Sequence, residues 1–370
     1  MLKIMLVFGT RPEAIKMAPL VKEMENRKNV EAFVCVTAQH REMLDQVLTI
    51  FDIKPKYDLN VMHSNQSLAS ITSKILEGMD KVISFEKPDV VLVHGDTTTA
   101  YVSALAAFYN QVKIGHVEAG LRTYKKYSPF PEELNRQMID SLSDYYFTPT
   151  KDAALNLYHE GVKENNVFIT GNTAIDALKT TVDYDYNHSL SDWIGQSKLI
   201  LLTAHRRENL GDPLKNIFKA INKIIDNTDN VKVIYPIHLN PLIRDAANKY
   251  LKNDDKIKII SPLDVLDFHN LMNKSYLILT DSGGIQEEAP ALGKPVLVLR
   301  DTTERPEGVE AGTLKLIGTS IESIYENTIQ LLTNEDEYKK MACALNPYGD
   351  GTASKQIADA LIQELNNKFQ

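Results

Sequence analysis

The chain has 370 residues, 43% of them hydrophobic and 24% charged, with a formal net charge of -8. That length exceeds what a single core organises and predicts two domains, while the composition is that of a globular protein. The acidic balance argues against a nucleic-acid or anionic-membrane surface, each of which needs a basic face, so an anionic ligand must be caught by a few local cations. The apolar run before Gly9 is too short for a signal-peptide core and no apolar stretch approaches a membrane span, so a cytoplasmic protein is expected. Cys35, inside the apolar run AFVCV, and Cys343, in a helical segment, have no CxxC spacing and are expected to be inert core thiols.

Short apolar runs alternate with longer amphipathic ones along the first half. Strands are expected at 3–8, 32–37, 90–94, 112–117, 145–148 and 167–169, with helices at 12–27, 41–51, 68–86, 98–109, 132–142 and 151–159. A helix at 172–181 follows, and then a polar stretch without periodicity, 183–197, reads as the joint between domains. The alternation restarts with strands at 199–203, 231–235, 258–260, 276–280, 295–299 and 313–316. The helices between and after them are expected at 213–227, 241–251, 265–272, 285–292, 321–332 and 335–344. A break at 346–351 precedes a last helix at 352–365. The class is therefore α/β, with two doubly wound, Rossmann-like parallel-sheet domains at 1–170 and 171–351.

Doubly wound sheets place ligands at the carboxyl ends of their strands, so residues just after the apolar runs carry the functional interest. In LILTDSGGIQEEAP (277–290) a buried strand is broken by Ser282-Gly283-Gly284 before a helix that looks set from Gln286. Two glycines at a helix start let a phosphate or diphosphate approach the unpaired N–H groups and the positive end of the dipole. Glu287 or Glu288, one turn on, can accept hydrogen bonds from a ribose, although an ordinary capped helix has the same pattern. Arg11 and Lys16, at the start of the first helix, suit charge on a leaving phosphate; two solvated helix cations are the plain alternative. Asp96, Glu118, Glu132 and Glu133 follow strands or open helices, and converging carboxylates suit general acid and base chemistry. Asp96 has an alternative as a helix cap, and Glu132 or Glu133 as a complement to a helix dipole, whereas Glu118 has neither.

His94, His116, His205 and His238 lie at strand ends, which raises a metal site, but no HxH, HExxH or CxxC spacing supports one and none is expected. His205 differs in being followed by Arg206 and Arg207, a cluster suited to a phosphate leaving group. No GxGxxG, GxxxxGK[ST] or GxSxG occurs. That counts against a nicotinamide site of the usual kind, a P-loop and an α/β-hydrolase elbow, and no cofactor is expected.

The stretches FGTRPEAIKMAPL (8–20), TAQHR (37–41), VHGDTTT (93–99), GHVEAGLRT (115–123), PEELNRQ (131–137), GN (171–172), TAHRREN (203–209), DSGGIQEEAP (281–290) and RDTTERPEG (300–308) stand in one order across nearly the whole chain. Together they closely resemble the bacterial non-hydrolysing UDP-N-acetylglucosamine 2-epimerases. The resemblance implies the glycosyltransferase-B fold, with two Rossmann-like domains facing a deep cleft and a C-terminal helix, 352–370, crossing back to the first. It implies a sugar-side first domain, a UDP-binding second domain, a homodimer, and a role supplying N-acetylmannosamine for surface polysaccharide or teichoic acid. Matching the motifs residue by residue implies that Asp96, Glu118, Glu132, His205 and Lys16 are catalytic. By the same match Arg11, Phe268, Ser282, Gly283, Gly284, Glu288 and Arg305 bind substrate or UDP. Gln39, Glu42, Arg206 and His238 match positions at which some members bind a second UDP-N-acetylglucosamine as an activator, while MHSNQ (62–66) lacks an arginine at the place of a further anchor.

The implied reaction suits these residues. Hydrogen on carbon 2 of N-acetylglucosamine has no neighbouring carbonyl to acidify it, so the sugar must be either oxidised or relieved of UDP. The missing dinucleotide fingerprint favours the second route, through 2-acetamidoglucal and re-addition to give UDP-N-acetylmannosamine. A UDP-sugar glycosyltransferase of the same fold, a hydrolysing epimerase and a non-catalytic UDP-sugar sensor are the competing expectations.

Overall fold

The computed structural model describes residues 1–38, 41–62 and 66–367, the side chains of Glu42 and Asn367 apart. The chain divides into two compact units, Met1–Thr180 with Tyr348–Gln370, and Thr181–Pro347. Unit 1 holds β1 (Leu2–Phe8), β2 (Val30–Val36), β3 (Tyr57–Asp58), β4 (Val90–His94), β5 (Lys113–Val117), β6 (Tyr145–Thr148) and β7 (Val167–Ile169). They form one parallel sheet in the order β3-β2-β1-β4-β5-β6-β7. Unit 2 holds β8 (Lys198–Thr203), β9 (Val231–Pro236), β10 (Ile257–Ile260), β11 (Leu277–Thr280), β12 (Val296–Val298) and β13 (Leu314–Leu316). Its sheet is also parallel, ordered β10-β9-β8-β11-β12-β13.

Both orders are the doubly wound one, in which winding reverses beside the first strand of each unit. The reversal falls between β1 and β4 in unit 1 and between β8 and β11 in unit 2. Chain segments leaving these neighbours in opposite directions open a crevice at the strands' carboxyl ends.

Apolar runs become strands because both faces of a parallel sheet are covered by helices. Successive residues of β1 serve opposite faces: Ile4, Leu6 and Phe8 join one core and Met5 and Val7 the other. Helical repeats supply the covering layers. In Asp212–Asp226 the residues Leu214, Ile217, Phe218, Ile221, Ile224 and Ile225 are all buried on one stripe. The first helix, Arg11–Glu25, is opened by a capping box in which Thr10 and Glu13 bond each other's backbone N–H groups.

Three expectations are corrected. The unit boundary falls at Thr180 and not at 170, because the helix Thr173–Thr181 is tied to the returning chain. Asp176 accepts the backbone N–H groups of Ala353 at 3.2 Å and Ser354 at 2.8 Å, and Lys179 donates to the Gly351 carbonyl. The return accordingly begins at Tyr348, ahead of the helix Ala353–Asn367, which packs on Arg11–Glu25 in unit 1. The polar stretch 183–197 is not a free joint but is pinned within unit 2: Tyr186 donates to Asp267, Lys274 to Ser191 Oγ at 2.9 Å, and Trp193 Nε1 to the Asp255 carbonyl at 3.0 Å. Finally, Cys35 is buried but Cys343 is exposed, since the helix Glu335–Ala342 ends before it. Among the described residues no helix is long and apolar enough to cross a membrane.

Candidate active site

In unit 1 the carboxyl ends of β4 and β5 carry two acidic turns. Glu118, just past β5, has a φ of +69° beside Gly95 at +66°. A left-handed conformation at a bulky acidic residue is held only by surrounding structure, and such positions cluster at functional sites. Lys16, one turn past the helix start beside β1, donates to Glu118 Oε2, and Asn172 Nδ2 donates to the same oxygen at 3.0 Å. His94 Nε2 lies 3.8 Å from that oxygen. The His94 ring is buried with neither nitrogen hydrogen-bonded among the described residues, and burial pushes its imidazole down to about 4, which keeps it neutral near pH 7.

Asp96 pairs with Arg136, and its carbonyl accepts from Asn135 Nδ2 at 2.9 Å. Burial pushes the Asp96 carboxyl above the usual range, and the charges of Glu118 and Glu132 push the same way against Arg136. Three carboxylates thus sense one another, the condition under which acid and base roles separate. Asp96 is not the helix cap: Thr97 is, accepting from the Ala100 N–H at 3.0 Å. The ambiguity at residues 132 and 133 is likewise resolved. Glu133 is fully buried and engaged by the Thr123 and Tyr124 N–H groups and by Gln137, whereas Glu132 is half-buried and has no hydrogen bond among the described residues.

A charged network underlies these turns. The buried His116 places Nδ1 2.6 Å from Asp140 Oδ1 and Nε2 2.7 Å from the Gly95 carbonyl. A carbonyl only accepts, so the ring donates there and ties the turn before Asp96 to Asp140. Arg122 Nη2 lies 2.7 Å from the other Asp140 oxygen.

In unit 2 the segments after β8 and β11 meet through Asp281, whose Oδ2 accepts the N–H groups of His205 and Arg206, each at 2.8 Å. The helix beyond β11 runs Gly283–Ala291 with Ser282 as its N-cap, so it begins two residues before the helix expected from 285. Both glycines lie in its first turn, and their N–H groups are among those that have no partner inside a helix. Arg206 and Arg305 converge on Gly283: a Cβ there would lie 3.4 Å from Arg206 Nη2 and 3.8 Å from Arg305 Nη2. Arg206 also pairs with Glu304 at 2.7 Å, and Arg305 with Glu287. Since Glu287 is taken by Arg305, Glu288 is the carboxylate left beside Gly284, with its Oε2 3.5 Å from His269 Nε2. A helix N-terminus with two guanidinium groups beside it, each also paired with a carboxylate, can take an anion such as a phosphate.

The structure groups Lys16, Asp96, Glu118 and Glu132 in unit 1, and His205, Arg206, Ser282, Gly283, Gly284, Glu288 and Arg305 in unit 2. Arg11 is the first residue of its helix, half-buried, with no carboxylate partner among the described residues. Phe268 is half-exposed on the helix Val265–Lys274, outside the buried core. His238 stacks on His205 with ring centroids 5.6 Å apart. Gln39 and the side chain of Glu42 lie outside the described residues, as does most of 62–66. Sequence reasoning gave no role to Asn172 or Arg136. Asn172 could have been found by the strand-end rule, since it follows β7, but Arg136 lies inside a helix and nothing local marks it. Among the described residues no group of three or more His, Cys, Asp or Glu side chains is placed to hold a metal.

Two doubly wound units, each with its polar residues at the switch point, define a Rossmann-like enzyme architecture of the glycosyltransferase-B type. The sequence profile of the UDP-N-acetylglucosamine 2-epimerase family matches residues 22–362. The UDP-N-acetylglucosamine 2-epimerase of Bacillus subtilis is 61% identical over 361 residues, covering 98% of this chain and 95% of that protein. A crystal structure described as a putative enzyme of this name from Listeria monocytogenes superposes with a TM-score of 0.95 at 54% identity, covering 99% of this chain and 97% of that one. The Neisseria meningitidis enzyme, solved bound to UDP-N-acetylglucosamine, superposes with a TM-score of 0.88 at 49% identity, covering 98% of this chain and all of that one. The chain belongs to the UDP-N-acetylglucosamine 2-epimerase family.

Proposed function

We propose that this protein is an isomerase that interconverts UDP-N-acetylglucosamine and UDP-N-acetylmannosamine by eliminating UDP and adding it back. The observation that carries the mechanism is the cluster of Glu118, Asp96 and Glu132 at the strand ends of unit 1, with Lys16 bonded to Glu118. One carboxylate takes the proton from carbon 2 as the bond from carbon 1 to the phosphate oxygen breaks, and the electron pair becomes the double bond of 2-acetamidoglucal. In the return step a carboxyl group delivers a proton to the opposite face of carbon 2, and the phosphate oxygen re-forms its bond to carbon 1. Lys16, Arg11 and His205 favour the charge gathering on departing UDP. Ser282, Gly283 and Gly284 hold the diphosphate with Arg305, Glu288 accepts from the ribose, and Phe268 lies against the uracil.

The reading extends to a homodimer working in the cytoplasm, without a cofactor, as a source of N-acetylmannosamine for surface polysaccharide. A second UDP-N-acetylglucosamine acts as activator through Gln39, Glu42, Arg206 and His238. The nearness of Arg206 to Gly283 supports a shared boundary between activator and diphosphate.

Proton NMR of the protein with UDP-N-acetylglucosamine in deuterium oxide tests the reaction. Formation of UDP-N-acetylmannosamine with deuterium at carbon 2 is expected. Free N-acetylmannosamine and UDP would make the protein a hydrolysing enzyme, and an unchanged spectrum would favour a transferase or a sensor. Gly283→Ala tests the loop. Its Cβ would meet nothing closer than 3.4 Å, so folding is expected to persist. The methyl group occupies space a phosphate oxygen needs, and losing one charge-assisted hydrogen bond weakens UDP binding by about tenfold or more. An unchanged Kd by calorimetry would remove the diphosphate from this loop.

A further inference from the structure

Asp281 is fully buried at the end of β11, and its two oxygens are treated very differently. Oδ2 accepts three hydrogen bonds, from the His205 and Arg206 backbone N–H groups and from Asn209 Nδ2 at 3.0 Å. Oδ1 is equally buried and has no hydrogen-bond partner among the described residues. A buried acceptor without a donor is costly, and such atoms in native structures call for a functional or positional reason. The polar group facing it is the imidazole of His205, with Nδ1 3.4 Å away. Bonds that orient catalytic groups are often long before substrate binds and shorten afterwards.

The other side of the His205 ring is set by His238, whose plane is tilted only 10° from it. His238 Nδ1 accepts the Asn240 N–H at 3.1 Å, so a neutral His238 carries its proton on Nε2. The His205 ring thus stacks on His238 and presents Nδ1 to Asp281 Oδ1.

We propose that Asp281 is a positioning residue for His205. Its Oδ1 holds a proton on Nδ1, so that the proton taken up from solvent when His205 becomes an imidazolium goes to Nε2, the nitrogen that then donates to the phosphate oxygen of departing UDP. The use of Nε2 rests on the reading of His205 given above, whereas the tautomer does not. Burial lowers the readiness of His205 to take a proton, and Asp281 acts in the opposite sense, against His238 and Arg206. An imidazolium that donates from Nε2 therefore depends on the carboxylate behind it.

Asp281→Asn is the discriminating variant. The Asn carbonyl can still accept the His205 and Arg206 N–H groups while its amide replaces Oδ1 and donates to Nδ1, forcing the proton onto Nε2 and barring the imidazolium, which needs Nδ1–H as well. In the serine-protease triad the corresponding change costs about 10⁴ in kcat through the wrong tautomer. Here a loss of about 10² or more in kcat is expected, with the Kd for UDP within about threefold. Imidazole nitrogen NMR, with the His205 signals assigned by their loss in His205→Asn, should report Nδ1–H in the native protein and Nε2–H in the variant. A native protein already in the Nε2–H form would overturn the proposal, and this measurement needs no variant of Asp281. A variant that keeps the Nδ1–H form would overturn it as well. A tautomer that inverts without loss of kcat would confirm the positioning and overturn the part played by His205 in UDP departure.

Discussion

Glu118→Gln is expected to fold and to bind UDP, and to lose turnover by a factor of about 10³, within the range a positioned acid or base contributes. Glutamine keeps the shape of the side chain, so the left-handed turn at φ +69° is retained. Its carbonyl oxygen can still accept from Lys16 and Asn172, which now share Oε2. What the amide cannot do is take a proton from carbon 2 or return one. Deuterium entry at carbon 2 is the direct measure, because it reports proton transfer even where no net product accumulates. A variant that exchanges deuterium within about fivefold of the native rate would move the base to Asp96 or Glu132. Loss of UDP binding alongside turnover would instead mean that Glu118 matters through Lys16.

Asp140→Ala is expected to cost about 3–5 kcal/mol of stability, the scale for removing one partner of a buried charged group. His116 and the Arg122 side chain are fully buried against its carboxylate, and alanine leaves His116 Nδ1 without its partner and Arg122 with Glu160 as its remaining carboxylate. Urea denaturation gives the difference, and a value below about 1 kcal/mol would mean that water already compensates these charges. Burial by itself would raise the Asp140 carboxyl, but His116 and Arg122 outweigh burial and hold it below its ordinary range. A depressed native value contributes stability that is present above the unfolded value, about 3.9, and is lost as pH falls through the native one. The gap between native protein and variant should therefore be full at neutral pH and shrink below about pH 4. Activity should fall with stability, because His116 is also what ties the Gly95 carbonyl beneath Asp96.

These two residues show how unevenly function can be read from a sequence. Glu118 stands immediately after an apolar run, where the winding of parallel sheets puts ligands, and local pattern alone singles it out. Asp140 sits inside the helix Glu132–Leu142, among polar neighbours that look like a solvated face. The same contrast separates Glu132 from Glu133 and Glu288 from Glu287. Each pair is adjacent and chemically alike, so no local signal ranks its members. Burial and the Thr123 and Tyr124 N–H groups claim Glu133, and Arg305 claims Glu287, leaving the other member of each pair beside the proposed site.

The sequence by itself determined the alternation of strands and helices, the parallel class and the strand ends at which polar residues gather. These depend on the spacing of apolar side chains over a few residues and on turn chemistry. At the start of the helix Gly283–Ala291 the expectation slipped by two residues, and the short elements β3 (Tyr57–Asp58) and the helix Pro306–Glu310 had too few residues for a periodic signal to mark them. Tertiary structure alone decided which charges meet. Lys16 reaches Glu118 from 102 positions away, and Asp281 reaches His205 from 76, because β1 lies beside β4, with β5 next, and β8 lies beside β11. Strand order brings those groups together, and burial sets the strength of their coupling; neither is a property of any short stretch of chain.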